Sequence, residues 1–259
     1  MSAGYDLSVT TYSPEGRVFQ VEYAGKAIDN SGTVVGLRCK DGVVLGVEKF
    51  VISKMIVEGS NRRVFNVDRH VGLAAAGLAP DARQVVARAR AEASNYRSHF
   101  KDDIPGRVLA ERLASFLHVS TWYWALRPFG CAVLLATHDV RKGHALFLVE
   151  PSGVMNGYYG CATGKGKQGA KTEIEKLNLS ELTCREAVNE IAKIIYRVHD
   201  EKDKDFELEL SWLCEENNWV HSLVPEDLRL AAVEAAKAAL AEADESDDED
   251  GAGDAPMQQ

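Results

Sequence analysis

The order in which the hydrophobic period changes along the chain most constrains its fold. "TVVGLRC" (33–39) and "VVLGVEKF" (43–50) are β-rich runs separated by Lys40-Asp41-Gly42, and Asp-Gly between such runs signals a hairpin. "RRVFNV" and "HVGLAAAGL" form a second pair, in which Gly72, Ala74, Ala75 and Ala76 predict a strand packed closely under a helix. Pro80-Asp81 opens a helical pattern to about Phe100, and Pro105 opens another to about Trp124 or Ala125. Arg127-Pro128-Phe129-Gly130 ends it, because proline cannot continue a helix interior. Strands follow at "CAVLLATH", "ALFLVE" and "VMNGYYGC", then helices over about 166–177 and 184–202. "FELELSWLC" alternates as a strand, and Pro225 opens a last helix to about Glu242. Hairpins alternating with helical pairs predict an α+β fold: a four-layer αββα sandwich, two antiparallel sheets face to face with helices outside. A doubly wound parallel sheet would need strands and helices alternating singly.

A length of 259 residues with 46% apolar and 27% charged residues predicts a packed core. The net charge of −9 is uneven, since Glu242–Asp250 holds seven acidic residues and no basic one. The remainder is close to neutral and shows no basic stripe, which argues against nucleic acid as a ligand. Cys39, Cys131, Cys161, Cys184 and Cys214 are scattered and form no CxxC pair, the pattern of reduced, buried thiols. No metal or cofactor is expected. The start "MSAGYDLS" has neither the basic nor the apolar region of a secretory signal, and no apolar run is long enough to span a bilayer.

The first thirty residues read as ordered. Ser13-Pro14-Glu15-Gly16 fits a type I turn. A helix follows from Arg17 or Val18 to about Asn30, with Val18, Val21, Ala24 and Ile28 on one stripe and Phe19, Tyr23 and Ala27 beside it. Asn30-Ser31-Gly32 ends it.

Tyr5-Asp6, Ser13-Pro14-Glu15-Gly16-Arg17 and Gln20-Val21-Glu22-Tyr23-Ala24 resemble the N-terminal signature of proteasome α subunits. The resemblance continues in order through Asp41-Gly42-Val43-Val44, Asn66-Val67-Asp68, Gly77-Leu78, Asp81-Ala82-Arg83, Arg127-Pro128-Phe129-Gly130 and Pro151-Ser152-Gly153, covering roughly residues 4–241. It implies the N-terminal-nucleophile hydrolase sandwich and membership of the 20S core particle. There, hetero-heptameric α rings flank β rings that carry proteolysis. The division implied is an N-terminal gate tail over 1–12, an α-type domain over 13–241 and an acidic, disordered tail over 242–259.

Catalytic relatives use a threonine at the mature N-terminus, supported by a lysine and an aspartate. Gly32-Thr33 resembles their processing point. With Asp41-Gly42 as anchor, however, the nucleophile position falls on Gly32, the aspartate on Glu48 and the lysine on Arg63. Arginine stays protonated, and Thr33 is internal. The expectation is therefore no catalytic residue, with Thr33 as the β-branched first residue of a strand. The alternatives are a self-processing threonine hydrolase, disfavoured on these grounds, and a free-standing binding protein of the same fold. "GKGKQG" (164–169) lacks phosphate-loop spacing and reads as a helix start. His99, His118, His138 and His144 read as surface or packing residues.

The resemblance implies that Tyr5, Asp6, Pro14 and Tyr23 hold the N-terminal tail at the axial pore, with tyrosine and aspartate exchanging a hydrogen bond between neighbouring chains. Many α subunits carry arginine after the Tyr-Asp pair, and here Leu7 stands there. The helix over about 18–30 is expected to pack on the β ring or a neighbouring α subunit, through Gln20 and Glu22 among others, or else on its own core. Arg63, with Arg62 next to it, resembles the basic residue that receives activator or ATPase C-terminal carboxylates; a surface salt bridge is the competing reading. Ser246, before Asp247-Asp248-Glu249, suits an acid-directed kinase. The implied partners are other α subunits, β subunits, activators and unfolded polypeptides in transit, with neither nucleic acid nor membrane, in cytoplasm and nucleus.

Overall fold

The computed structural model describes residues 4–57, 59–200, 202–203 and 205–251, with side chains as far as Glu242. One sheet contains β1 (Val34–Arg38), β2 (Gly42–Phe50), β8 (Gly160–Thr163), β9 (Phe206–Cys214) and β10 (Ser222–Leu223), in the order β10-β9-β2-β1-β8. The other contains β3 (Val64–Asp68), β4 (Val71–Gly77), β5 (Cys131–Asp139), β6 (Gly143–Val149) and β7 (Met155–Tyr158), in that order. Every pairing in both is antiparallel. α1 (Phe19–Asp29), α2 (Ala79–Phe100) and α3 (Gly106–Val119) precede β5, while α4 (Lys167–Glu175), α5 (Cys184–Val198) and α6 (Glu226–Gly251) come later.

Three apolar cores separate four layers. Val35, Leu37, Val44, Leu208 and Leu210 of the first sheet pack against Ile174 of α4, Ile191 and Ile195 of α5 and Ala232 of α6. Val71, Leu73, Val133 and Leu135 of the second sheet pack against Val85 and Ala89 of α2 and Leu109 and Leu113 of α3. Between the sheets lie Val43, Leu45 and Leu213 on one side and Ala74, Ala76, Leu134 and Leu146 on the other. The central strands are thus covered on both faces. That is why "VVLGV" and "CAVLLA" are continuous apolar runs and not alternating ones. No described helix is long and apolar enough to cross a membrane.

The predicted sandwich is the observed one, with local differences. The small residues of β4 serve the facing sheet more than the helices. Ala75 faces α2 and α3, whereas Ala74 and Ala76 face inward. A Cβ on Gly72 would lie 2.0 Å from the His221 ring. "VMNGYYGC" is two strands in different sheets: β7 pairs with β6 and β8 with β1, and the chain crosses over at Tyr159. α3 stops at Val119, before Trp124, because the hydroxyls of Ser120 and Thr121 bond to the carbonyls of Leu117 and His118. α5 stops at Val198, where His199 turns extended. Its start carries a capping box in which Thr183 and Glu186 each bond to the other's backbone N–H. α6 runs to Gly251, past the expected end near Glu242. Residues 252–259 of the predicted acidic tail lie outside the described residues.

Candidate functional site

The N-terminal segment folds onto the start of α1. The Gly16 N–H donates to the Ser13 carbonyl at 2.9 Å, closing the predicted turn, and the Ser13 N–H donates to the Arg17 carbonyl at 2.9 Å. Ser13 is buried, while Pro14 stands exposed on the turn. Arg17 donates from Nε to Glu22 Oε1 at 2.7 Å, and its guanidinium lies 4.9 Å from the centre of the Phe19 ring. This hydrogen bond lowers the Glu22 carboxyl below its usual range. Gln20 Nε2 donates to the Asp6 carbonyl, and Tyr23 Oη donates to Asp6 Oδ2 at 3.3 Å. Desolvation, then the charge of Asp6, raises the Tyr23 phenol above its ordinary value, so it remains a donor. The polar face of α1 thereby pins Asp6 from two positions three residues apart, the spacing that shares a helix face.

Three sequence expectations meet here with different outcomes. Asp6 and Tyr23 come together within the chain. Gln20 and Glu22, the candidate polar contacts of this helix, bond to Asp6 and Arg17 within the chain. The apolar stripe divides. Ala24 and Ile28 are buried, Ile28 in the core between the sheets, and α1 packs on β4 and β5. Val18 and Val21 line an open groove of about 740 Å³ with Val9, Tyr12 and Trp122. Tyr5 is exposed beside Asp6, and Leu7 is 87% exposed.

The second location is a cavity of about 430 Å³ whose lining includes Gly32, Glu48 and Arg63. These are the three positions that the resemblance, with Asp41-Gly42 as anchor, sets opposite catalytic threonine, aspartate and lysine. They converge, but with different chemistry. A Cβ on Gly32 would lie 2.0 Å from the Glu48 carbonyl oxygen, so the backbone excludes any side chain, nucleophile included. Thr33 is 1% exposed. Its N–H donates to Glu48 Oε2 at 2.7 Å, and its hydroxyl oxygen accepts from the Gly166 N–H at 3.0 Å. The other Glu48 oxygen meets His199 Nδ1 at 2.5 Å. Thr33 is therefore an internal strand residue whose amide is held by a buried carboxylate.

Arg63 donates from Nη1 to the Gly77 carbonyl at 2.6 Å, and its backbone N–H donates to Glu209 Oε2 at 2.9 Å. Burial lowers the Arg63 guanidinium from its usual value and raises the Glu209 carboxyl. Arg63 lines the cavity, whereas Arg62 is exposed. Glu209 and His199 escaped the sequence reading. Glu209 sits in the polar phase of the alternating "FELELSWLC", so nothing in the sequence marked it as the polar residue drawn to the Arg63 backbone.

The remaining motifs have structural partners. Lys165 pairs with Asp200 and Asp203, and Lys167 with Asp29, so the lysines of "GKGKQG" meet carboxylates of this chain. His118 Nδ1 lies 2.9 Å from the Ser152 carbonyl oxygen, and His99 Nδ1 lies 2.7 Å from that of Asn95. His138 and His144 both stack on Trp219. All five cysteines are free and buried. Ser246 lies within α6, and its side chain is outside the described residues.

Comparison with known proteins agrees with this geometry. Residues 28–213 match the proteasome subunit family, and residues 5–27 match the N-terminal signature of its A-type subunits. The chain is 61% identical over 245 residues to the alpha type-3 proteasome subunit of Arabidopsis thaliana, covering 94% of this chain and 98% of the relative. The namesake from Oryza sativa subsp. japonica is 62% identical over 245 residues, with the same coverage. The probable alpha type-7 proteasome subunit of Saccharomyces cerevisiae is 46% identical over 242 residues, covering 92% of this chain and 84% of the relative. With an N-terminal signature folded as a turn and helix clasping Asp6, joined to an αββα sandwich, this chain belongs to the proteasome subunit family in its α-type branch.

Proposed function

We propose that this chain is a non-catalytic, structural subunit of the outer α ring of the 20S proteasome, in the place of the type-3 subunits, also numbered seventh in the ring. The observation that carries this reading is the α signature over 5–27, folded as a clasp outside the sandwich. The particle it serves is a threonine-type endopeptidase acting in ubiquitin-dependent and ubiquitin-independent degradation, in cytoplasm and nucleus. Its partners are other α subunits and β subunits, with unfolded polypeptides passing through.

Within the ring, Tyr5, Asp6, Pro14 and Tyr23 form the gate device. The bond between Tyr23 and Asp6 supports it, because it fixes the root of the N-terminal tail to a rigid helix. Exposed Leu7 leaves this tail without the charged partner that arginine provides in many α subunits. Arg63 receives the C-terminal carboxylate of activators, a role suited to a guanidinium lining an open cavity. Ser246 is a target for an acid-directed kinase, where phosphate adds charge to an acidic run.

Reconstituted particles test the gate and the pocket separately. Tyr23→Phe and Asp6→Ala should change the basal rate of peptide hydrolysis, and unchanged basal and activated rates would refute gating. Arg63→Glu should weaken binding of activator C-terminal peptides, and unchanged binding would refute docking.

A further inference from the structure

At the end of the sandwich away from the Gly32 cavity, three groups from two connections converge. Asp68 ends β3, His70 lies in the turn to β4, and Asp103 lies between α2 and α3. Their ligand atoms all lie within 4.8 Å of one another. His70 is 7% exposed. Its Nε2 lies 2.9 Å from the Ile104 carbonyl oxygen, which can only accept. Nε2 therefore donates, and in the neutral tautomer that this contact selects Nδ1 presents a lone pair. That Nδ1 is buried without a hydrogen-bond partner, 3.8 Å from Asp103 Oδ2. An imidazole lone pair facing carboxylates is an arrangement of acceptors that calls for a cation.

Arg97, in the last turn of α2, supplies part of that charge. Its Nη2 donates to Asp68 Oδ2 at 2.6 Å and to Asp103 Oδ1 at 2.7 Å. No bond runs from it to His70 Nδ1. The Arg97 side chain is 47% exposed, so it can leave the carboxylates for water. A cavity of about 660 Å³, lined by Arg97, His70, Asp103 and His138, opens onto the cluster.

We propose that Asp68, His70 Nδ1 and Asp103 form a site for a divalent transition-metal ion, with Arg97 as the resident competitor that the metal displaces. One imidazole nitrogen and two carboxylate oxygens suit zinc and its neighbours better than calcium or magnesium. The bond from Nε2–H to a backbone carbonyl is the outer contact that orients metal-binding histidines.

The test is titration of the full-length chain, freed of metal, with Zn²⁺ by calorimetry and with Co²⁺ by visible absorption. The expected result is one equivalent bound with the absorption of a low-coordinate Co²⁺ site. Affinity should fall at least about tenfold in His70→Gln and rise in Arg97→Gln, a change at the exposed rim that keeps the test usable where the buried substitution impairs folding. The proposal is overturned by failure of wild type and Arg97→Gln alike to bind one equivalent, or by binding that His70→Gln leaves unchanged. It is likewise overturned if magnetic resonance shows His70 taking up only a proton while Zn²⁺ leaves its ring signals unmoved.

Discussion

Replacing Glu48 with alanine separates a structural role for the Gly32 cavity from a catalytic one. Glu48 is 4% exposed and holds two groups, the Thr33 N–H at 2.7 Å and His199 Nδ1 at 2.5 Å. Hydrogen bonds to a charged group contribute about 1.5–3 kcal/mol each. Removing one partner of a buried charged contact costs about 3–5 kcal/mol, because the groups left behind stay dry. The variant should therefore lose about 4 kcal/mol. With a urea slope of about 3 kcal/mol per molar, its midpoint falls by roughly 1.3 M. Glu48→Gln offers an oxygen to Thr33 and an amide to His199 with the same shape, and should cost only about 1 kcal/mol. Urea unfolding of the full-length chain, followed by tryptophan fluorescence, reads both, since Trp212 is buried on β9. An alanine midpoint within about 0.3 M of wild type would refute the reasoning. So would equal losses in both variants, which would assign the stabilisation to charge and not to the hydrogen-bond geometry.

Three further perturbations test the rest of the scaffold. Gly72→Val places carbon against the His221 ring, where even a Cβ would sit at 2.0 Å; overpacking of this kind costs about 1–3 kcal/mol and should lower the thermal midpoint, and an unchanged melt would contradict the assigned facing of β4. Burial pushes the His221 imidazole from 6.5 to about 4. Its folded pKa is thus depressed, so its contribution is full above about 6.5 and is lost as pH falls toward about 4, a change of about 3 kcal/mol; urea midpoints measured across that interval should show a decline that His221→Gln flattens. The Asp81 carboxyl is held below its usual range first by hydrogen bonds from Arg127 and then by the Gly130 N–H. Its stabilisation is present above the unfolded carboxylate value near 3.8 and disappears as pH falls through the folded one, so Asp81→Asn should remove that part of the acid sensitivity; an identical acid-unfolding curve would count against it.

Much of the sandwich was legible because its signals are local. Asp41-Gly42 marks the β1–β2 turn, and the Arg38–Val43 pairing follows from it. Continuous apolar runs mark strands covered on both faces. What escaped depends on contacts distant in sequence. The facing of Gly72 is set by His221, and the end of α5 by the bond from His199 to Glu48. The crossing at Tyr159 depends on which sheet each half joins. Only two residues of β10 pair, Ser222 and Leu223, too few for a period to register. At the functional site, residue types could be assigned to positions, so Gly32, Glu48 and Arg63 were legible as altered chemistry. Their closure was not, since the 2.0 Å approach to the Glu48 carbonyl is a backbone fact. The clasp on Asp6 was legible as a pair of residues, but not as a bond within one chain.

The central claim is that this chain builds a ring and cleaves nothing. Native mass spectrometry of tagged chain from its source, joined to intact-mass measurement of the released chain, tests it most directly. The account predicts a complex of the size of the full cylinder, containing other α and β subunits, from which this chain is released with Tyr5 and Asp6 still attached. A monomer, or a chain beginning at Thr33 whose peptidase activity is lost in Thr33→Ala, would contradict it.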